Sequence, residues 1–421
     1  MISTPNAKNN LLPKNLHGGF NKLSALASSS RSLRAILPLA LSGFSVAAMA
    51  QSNVTLFGQM DNGFQYQSGL PNGHAFTAES GGYTASEFGL KGTEDLGGGT
   101  KTNFRLEARN DSQNGAIIDG SFFAGEAIVG LSNDTWGTVN LGYVGQYEIM
   151  QDSWDLDPQL MQEWSIATLV RGRNWSAAGN SIEYQSPKWY GFSVKGQYDL
   201  ANSTHWNAGN PGSGPGQLGG AQGRSDGLKL QYEGGSFQFI AIYDETRDPN
   251  GTFSNVYVAS RSAMAGGTYT IGSLKFYAGY QHLSAPNADN AGYFGSVTGT
   301  VLPNGVQVPT KVDHEWVGVN WQATSADAVT AGVYHANANN GNGNASLYTL
   351  GARHNLSKRT FFYSEVAYVH NSKTSNVGLG DGYADPYGPN ANNDPVNGGG
   401  NQAPNYGHGQ LGVIAGIVHQ F

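Results

Sequence analysis

The sequence predicts an all-β chain whose sixteen alternating segments close into a transmembrane antiparallel β-barrel with one loop folded inward. Three observations predict it. Nearly everything after residue 50 alternates apolar and polar side chains with the period of a strand, broken by glycine and asparagine. The connections alternate between short turns and long loops, which puts all turns at one end and all long loops at the other, as in an outer-membrane-type barrel. One connection, YEIMQDSWDLDPQLMQEWSIATLVR from Tyr147 to Arg171, keeps no period of two and is both acidic and partly apolar. Such a stretch is too apolar to hang in water, so it is expected to fold back into the barrel and narrow the hole.

The first fifty residues stand apart. They carry Lys8, Lys14, Lys22, Arg31 and Arg34 and no acid, then the apolar run AILPLALSGFSVAAMA with small residues at Ala48 and Ala50. A basic n-region, a short h-region and an A-x-A site describe an export signal, cleaved after residue 50, with an unusually long n-region. The alternative, a retained anchor, needs about 20 uninterrupted apolar residues, and this run contains Pro38.

Residues 51–421 hold the strands. Val54 to Gln67 sets Val54, Leu56 and Met60 against Thr55, Gln59 and Asp61. Ser86 to Leu96, the turn Gly97-Gly98-Gly99 and Lys101 to Arg109 make a hairpin; on its second strand Thr102, Phe104, Leu106 and Ala108 share one face and Lys101, Asn103, Arg105, Glu107 and Arg109 the other. In a barrel the first face meets lipid and the second a watery lumen, whereas a soluble sheet would turn the charged face to solvent. Further strands are expected at Phe123–Asn133, Trp136–Gln146, Asn180–Ser186, Trp189–Leu200, Arg224–Glu233, Ser236–Arg247, Val256–Ile271, Leu274–Leu283, Lys311–Gln322, Asp327–Asn337, Ala345–Leu356, Lys358–Asn371 and Gln410–Phe421. Leu70 to Ala85, Tyr147 to Gly179, Ala201 to Gly223, Ser284 to Thr310 and Ser372 to His408 are the long loops. Phe421 ends an alternating strand, which suits an assembly signal read by the outer-membrane insertion machinery, and pairing of this strand with the first removes both free edges.

Composition narrows the function. The 421 residues contain 60 glycines, 21 tyrosines and no cysteine, with a net charge of −7. Without the first fifty residues, 18 Lys+Arg face 30 Asp+Glu, a net charge of about −12. Such a surface repels phosphates, so nucleic acid is not a partner. His314, His335, His354 and His370 lie on separate segments with no ligand spacing, so no metal is expected. The stretch Asp381 to Asn397 carries Asp381, Asp385 and Asp394 but lacks the spacing of a calcium loop. Asp155 and Asp157 are too close in sequence to be the opposed carboxyls of a glycosidase, and no nucleophile elbow or phosphate-binding glycine loop occurs. No catalytic residue and no cofactor are expected, so the chain is not an enzyme.

Several motifs together resemble the general porins of Gram-negative bacteria, in particular the trimeric, Burkholderia-type branch found in β-proteobacteria. They are QSNVTLFGQMDNGF (Gln51 to Phe64), GLKGTEDLGGGTK (Gly89 to Lys101), WGTVNLG (Trp136 to Gly142), NSIEYQSP (Asn180 to Pro187), LSKRTFFYSEVAYVHN (Leu356 to Asn371) and the terminal HQF. The resemblance covers the whole chain after residue 50. It implies a sixteen-stranded barrel in the outer-membrane lipid, a homotrimer, passive diffusion of small hydrophilic solutes and ions, and a third long loop, 147–179, that forms the constriction. In such proteins an acidic inward loop faces a basic wall, and fixed charges at close quarters set ion preference. The acidic side here is Glu148, Asp152, Asp155, Asp157 and Glu163; the basic wall is Lys91, Lys101, Arg105, Arg109, Arg171 and Arg173. The sequence departs from the family pattern at four places where an arginine is common: Glu87, Tyr143, Glu183 and Val418. With Glu87 and Glu183 added to the acidic side, a weak preference for cations is expected. Trp154, Trp164 and Trp175 either anchor the loop or form a rail for sugars, so a channel tuned to a sugar or small organic solute is the second expectation. From a different class, a secreted soluble β-protein such as an adhesin or carbohydrate-binding module remains an alternative.

Overall fold

A computed structural model describes residues 53–70, 73–117, 121–146, 152–160, 162–175, 177–199, 224–248, 250–289, 307–379 and 403–421. The export segment 1–50, Glu148 and the stretch 381–397 lie outside the described residues.

The strands are β1 (Asn53–Leu70), β2 (Gly73–Glu79), β3 (Glu87–Gly97), β4 (Thr100–Arg109), β5 (Glu126–Asn133), β6 (Gly137–Tyr143), β7 (Gly145–Gln146), β8 (Ala177–Ala178), β9 (Ser181–Gln185), β10 (Phe192–Asp199), β11 (Ser225–Gly234), β12 (Phe237–Thr246), β13 (Arg261–Ile271), β14 (Leu274–Ser284), β15 (Lys311–Gln322), β16 (Asp327–Ala338), β17 (Ala345–Asn355), β18 (Thr360–Asn371) and β19 (Gln410–Gln420). Apart from β2, β7 and β8, these are the staves of a sixteen-stranded antiparallel barrel. Each stave pairs with its neighbours in sequence. Closure comes from β1, which pairs β19 from Gln59↔Gln420 to Gln67↔Gly412 and β3 from Asn53↔Thr93 to Gln59↔Glu87. Every stave therefore has a partner on both sides, which is how a sheet can cross lipid without unpaired backbone.

The two faces invert the pattern of a soluble sheet. On β18, Phe362, Val366 and Tyr368 are exposed, while Tyr363, Glu365 and Ala367 between them are buried. On β4 and β5 the outward positions carry Phe104, Val129 and Leu131, and the inward ones carry Arg105, Glu107 and Glu126. Apolar outside and polar inside is the arrangement lipid demands, and it excludes the soluble alternative. Among the described residues no helix is long and apolar enough to span a membrane; the strands do the crossing.

Four details differ from the sequence expectation. Residues 70–85 are not all loop: β2 folds back on β1, with Phe76 stacked on Phe64 at 5.9 Å. The run from Val256 is not strand before Arg261. Its apolar character comes from packing in the interior cluster, where Val256 and Tyr257 are buried. The segment Phe123–Asn133 becomes regular only at Glu126 because Phe122 and Phe123 pack edge to face at 4.8 Å ahead of it. The segment ending at Gln146 breaks at Val144, and β7 leaves the barrel wall to pair with β8 as a two-rung neck, Gly145↔Ala178 and Gln146↔Ala177.

Candidate functional site

Everything between the neck strands belongs to the acidic, aromatic segment. It opens with a 3-10 turn at Asp152–Leu156, passes Leu160 in the left-handed region, and forms one turn of helix, α1 (Ile166–Leu169). Ser165 caps that turn: its hydroxyl accepts from the Ala167 amide at 3.3 Å, and Thr168 Oγ1 accepts from the Ser165 amide at 3.0 Å. A helix this short is unstable alone, so its shape depends on packing. Leu156, Trp164, Ile166, Leu169 and Val170 are all fully buried, in one cluster with Trp316, Tyr334, Leu347, Val369 and Ile414 from β15 to β19. The wall is cut back to receive it: a Cβ on Gly412 would come within 2.5 Å of the Trp164 ring.

Polar contacts tie the segment to staves far apart in sequence. Trp316 Nε1 donates to the Leu156 carbonyl at 2.8 Å, and Tyr334 Oη donates to Asp157 Oδ1 at 2.7 Å. Gln159 Nε2 donates to Thr349 Oγ1 at 2.9 Å, Gln65 Nε2 to Glu163 Oε1 at 2.7 Å, and the Trp164 amide to Glu365 Oε2 at 3.3 Å. At the descending end Arg173 Nη2 meets Asp244 Oδ1 at 2.5 Å, its Nε donates to Ser260 Oγ at 2.8 Å, and both charged groups are fully buried. Inward-pointing residues of β1, β12, β15, β16, β17 and β18 thus all touch one segment.

The candidate charges separate into three groups. Asp152 is ion-paired with Lys195 at 3.1 Å and Lys229 at 2.7 Å, and Lys195 also stands 3.8 Å from Glu183. Asp155 is exposed and accepts from Gln238 Nε2 at 2.9 Å. On the β3–β5 wall Arg105 pairs with Glu107 and, at 2.7 Å, with Glu126; Arg109 stands 3.8 Å from Glu107; and Glu87 accepts from Gln59 at 3.1 Å. Lys91 and Arg105 lie over the Phe57 ring at 5.0 and 4.5 Å. Lys101, exposed beside the Gly97–Gly99 turn, lies opposite Asp95 and Ser132. The third group is internal: Asp157, Arg171 and Arg173 are buried, with Arg171 over the Tyr257 ring at 5.1 Å. Phe421 closes the chain end, its amide donating to the Gly58 carbonyl at 3.0 Å and its ring filling the space a Cβ on Gly58 would take.

Sequence reasoning passed over two features. Lys195 and Lys229 occupy inward positions of alternating strands, and the alternation alone would have marked them. The second is the link from β2 to β3, residues 80–86, which bulges onto the inner wall. Asp61 Oδ2 accepts from the Tyr83 and Thr84 amides at 2.7 and 2.9 Å, Tyr363 Oη donates to Asp61 Oδ1 at 2.9 Å, and the Glu163 amide donates to the Gly82 carbonyl at 3.1 Å. Nothing in SGGYTAS distinguishes it from a solvent loop.

Comparison with known proteins agrees with this architecture. A family model described as Gram-negative porin matches residues 38–374. An outer membrane porin protein of Bordetella pertussis is 28% identical over 390 residues, covering 81% of this chain and 96% of that protein. Outer membrane porin protein 32 of Delftia acidovorans is 29% identical over 405 residues, covering 93% and 99%. Among solved structures, an anion-selective porin from Comamonas acidovorans superposes with a TM-score of 0.66 at 23% identity, over 88% of this chain and all of that one (100%). OmpF from Salmonella typhi gives 0.56 at 18% identity over 87% and 97%. The chain belongs to the Gram-negative porin family: it is a non-catalytic channel of the outer membrane, related to the porins of β-proteobacteria.

Proposed function

We propose that this porin passes small hydrophilic solutes and ions through a hole narrowed by its third long loop, 147–179, folded into the barrel, with a weak preference for cations. The observation that carries this reading is the set of contacts from one segment to inward side chains on well-separated staves, Gln65, Asp244, Trp316, Tyr334 and Thr349 among them. A loop lying outside the barrel mouth would not reach all of them.

The sign follows from Glu87, Asp155, Glu163 and Glu183 on the hole's side of these elements, and the weakness from pairing. Asp152 faces two lysines, and Arg105 faces two glutamates, so much of the fixed charge is cancelled within a few ångströms. The aromatic anchoring of Trp164 supports the structural role of the loop tryptophans over a sugar rail. By resemblance to the trimeric, Burkholderia-type branch the working form is a homotrimer, exported by cleavage of residues 1–50 and assembled through the Phe421 signal. The test is the zero-current potential of the refolded protein in a planar bilayer under a potassium chloride gradient. A small potential of cation-selective sign is expected, moving towards zero in Asp155→Asn with Glu163→Gln. A clear potential of the opposite sign overturns the proposed preference.

A second reading, a channel with a preference for a small organic solute, is favoured by one observation: a cavity of about 230 Å³ beside the segment, lined by both cations and tyrosines.

A further inference from the structure

The cavity lies on the short-turn side of the loop segment. Its wall comes from inward positions of β14 to β17, its roof from Pro158, Gln159 and Leu160, and one side from Tyr83 of the 80–86 bulge. Two cations enter it, Lys275 and Arg353, and no Asp or Glu is among its lining residues. That composition is unusual within this barrel. Arg105, Arg173, Lys195 and Lys229 each stand beside a carboxylate. Lys275 instead lies over the Tyr277 ring at 4.9 Å, and Arg353 lies over Phe361 at 5.4 Å and donates from Nη1 to Tyr83 Oη at 3.2 Å. Among the described residues Arg353 Nε has no hydrogen-bond partner, although it is buried. A half-buried guanidinium with unused donors and no counter-charge is arranged to accept a planar anion.

The rest of the lining says what kind of anion. Tyr83 and Tyr277 offer aromatic surface, one face of the Tyr277 ring being covered by Lys275, and Pro158 and Leu160 offer apolar edges, while Gln159 and Asn320 supply neutral hydrogen-bonding groups. The volume lies just below the roughly 300 Å³ at which pockets for drug-sized ligands begin. A hydrated inorganic ion would leave the aromatic and apolar surface unused. The geometry points to a subsite for small organic carboxylates, the carboxylate held by Arg353 and Lys275 and a flat or short apolar body resting on Tyr83 and Tyr277. This deepens the channel reading and rests on it. It also sets a local attraction for organic anions against the weak cation preference of the loop, so the two properties are separable by experiment.

The test is block of single-channel current in dilute potassium chloride, with benzoate added on the short-turn side and benzyl alcohol as its uncharged match. Benzoate lowers the current of the unaltered protein and benzyl alcohol does not. In Arg353→Gln and in Lys275→Gln the half-blocking benzoate concentration rises about tenfold, the loss of one charge-assisted hydrogen bond. Arg353→Lys, which keeps the charge but loses the planar fork, falls between the unaltered protein and Arg353→Gln. Lys275→Gln keeps the test decisive if Arg353→Gln fails to fold, because Lys275 holds none of the 80–86 bulge. Benzoate block in both Gln variants as strong as in the unaltered protein, block by benzyl alcohol as strong as that by benzoate, or block by phosphate as strong as that by benzoate each overturns the subsite. Normal potassium chloride conductance without benzoate block overturns it while leaving the channel intact; absence of any conductance overturns the channel reading and the subsite with it.

Discussion

Replacing Asp244 by Asn should release the descending limb of the loop segment while leaving the barrel closed. Arg173 and Asp244 are both fully buried, 2.5 Å apart, and Ser260 also holds the guanidinium. Removing one partner of a buried ion pair leaves an uncompensated charge and costs about 3–5 kcal/mol. The limb has a cheaper escape: it can leave the wall and take Arg173 to water. What opposes escape is the rest of the anchoring. Trp164, Ile166, Leu169 and Val170 contribute roughly 1.5–3 kcal/mol each for the larger side chains, and the neutral hydrogen bonds about 1 kcal/mol each. The limb at 171–175 is therefore expected to loosen while the stretch from Leu156 to Val170 stays seated. Asp244 sits on β12, but the substitution changes only its side chain and leaves the backbone ladder to β11 and β13 in place, so heat-modifiable gel migration should persist. Two readouts are needed: urea unfolding of the refolded protein, expected to lose up to about 3–5 kcal/mol, and single-channel recording, expected to become noisier with a larger mean conductance. Arg173→Leu combined with Asp244→Leu removes both charges and should recover most of the stability, since an apolar replacement of a buried pair is often neutral. An Asp244→Asn protein within about 0.5 kcal/mol of the unaltered one, with a quiet current, would refute the reasoning.

Three further outcomes are expected. Tyr334→Phe deprives the buried Asp157 carboxylate of its hydroxyl donor and should cost about 1–3 kcal/mol by urea unfolding, the range for an acceptor left partly unsatisfied in the interior. The turn at Asp248, outside the staves, should loosen in acid: burial raises its pKa, but hydrogen bonds from Thr252 and Asn250 outweigh it and hold the carboxyl below its ordinary value. A depressed pKa gives stability that is complete above the unfolded value and is lost as pH falls through the folded one, so limited proteolysis near residue 250 should increase below about pH 4 and not between pH 5 and 8. Truncation of Phe421 removes the ring over Gly58 and the bond to its carbonyl, and should lower the yield of heat-modifiable protein without altering the conductance of the molecules that do assemble.

The staves were legible because lipid imposes a strict rule on them. Lys101 to Arg109 and Lys358 to Asn371 can satisfy one apolar and one watery face only by alternating, so their period reveals both structure and orientation. The exceptions occur where packing inside the barrel relaxes that rule. Val256 and Tyr257 resemble strand because they are apolar, yet they are buried by the interior cluster. The 80–86 bulge is small and polar because it hydrogen-bonds to Asp61, a partner no local pattern announces. The loop segment was visible as an anomaly of composition. Which of its charges faces water was not, because their partners lie 177 positions away for Asp157 with Tyr334 and 71 for Arg173 with Asp244. Residue type sets what a side chain needs; distant sequence decides whether it finds that inside the fold.

The chain contains no cysteine, so a single introduced thiol is the only one that can react. The most direct test of the account is Asp155→Cys, recorded in a planar bilayer while a small, charged, water-soluble methanethiosulfonate is added. The proposed constriction predicts a stepwise, irreversible fall in current as each channel is modified, reversed by dithiothreitol and absent in the cysteine-free protein. A current that stays unchanged although mass spectrometry shows complete modification at residue 155 would contradict it, and would place the acidic segment away from the path of the ions.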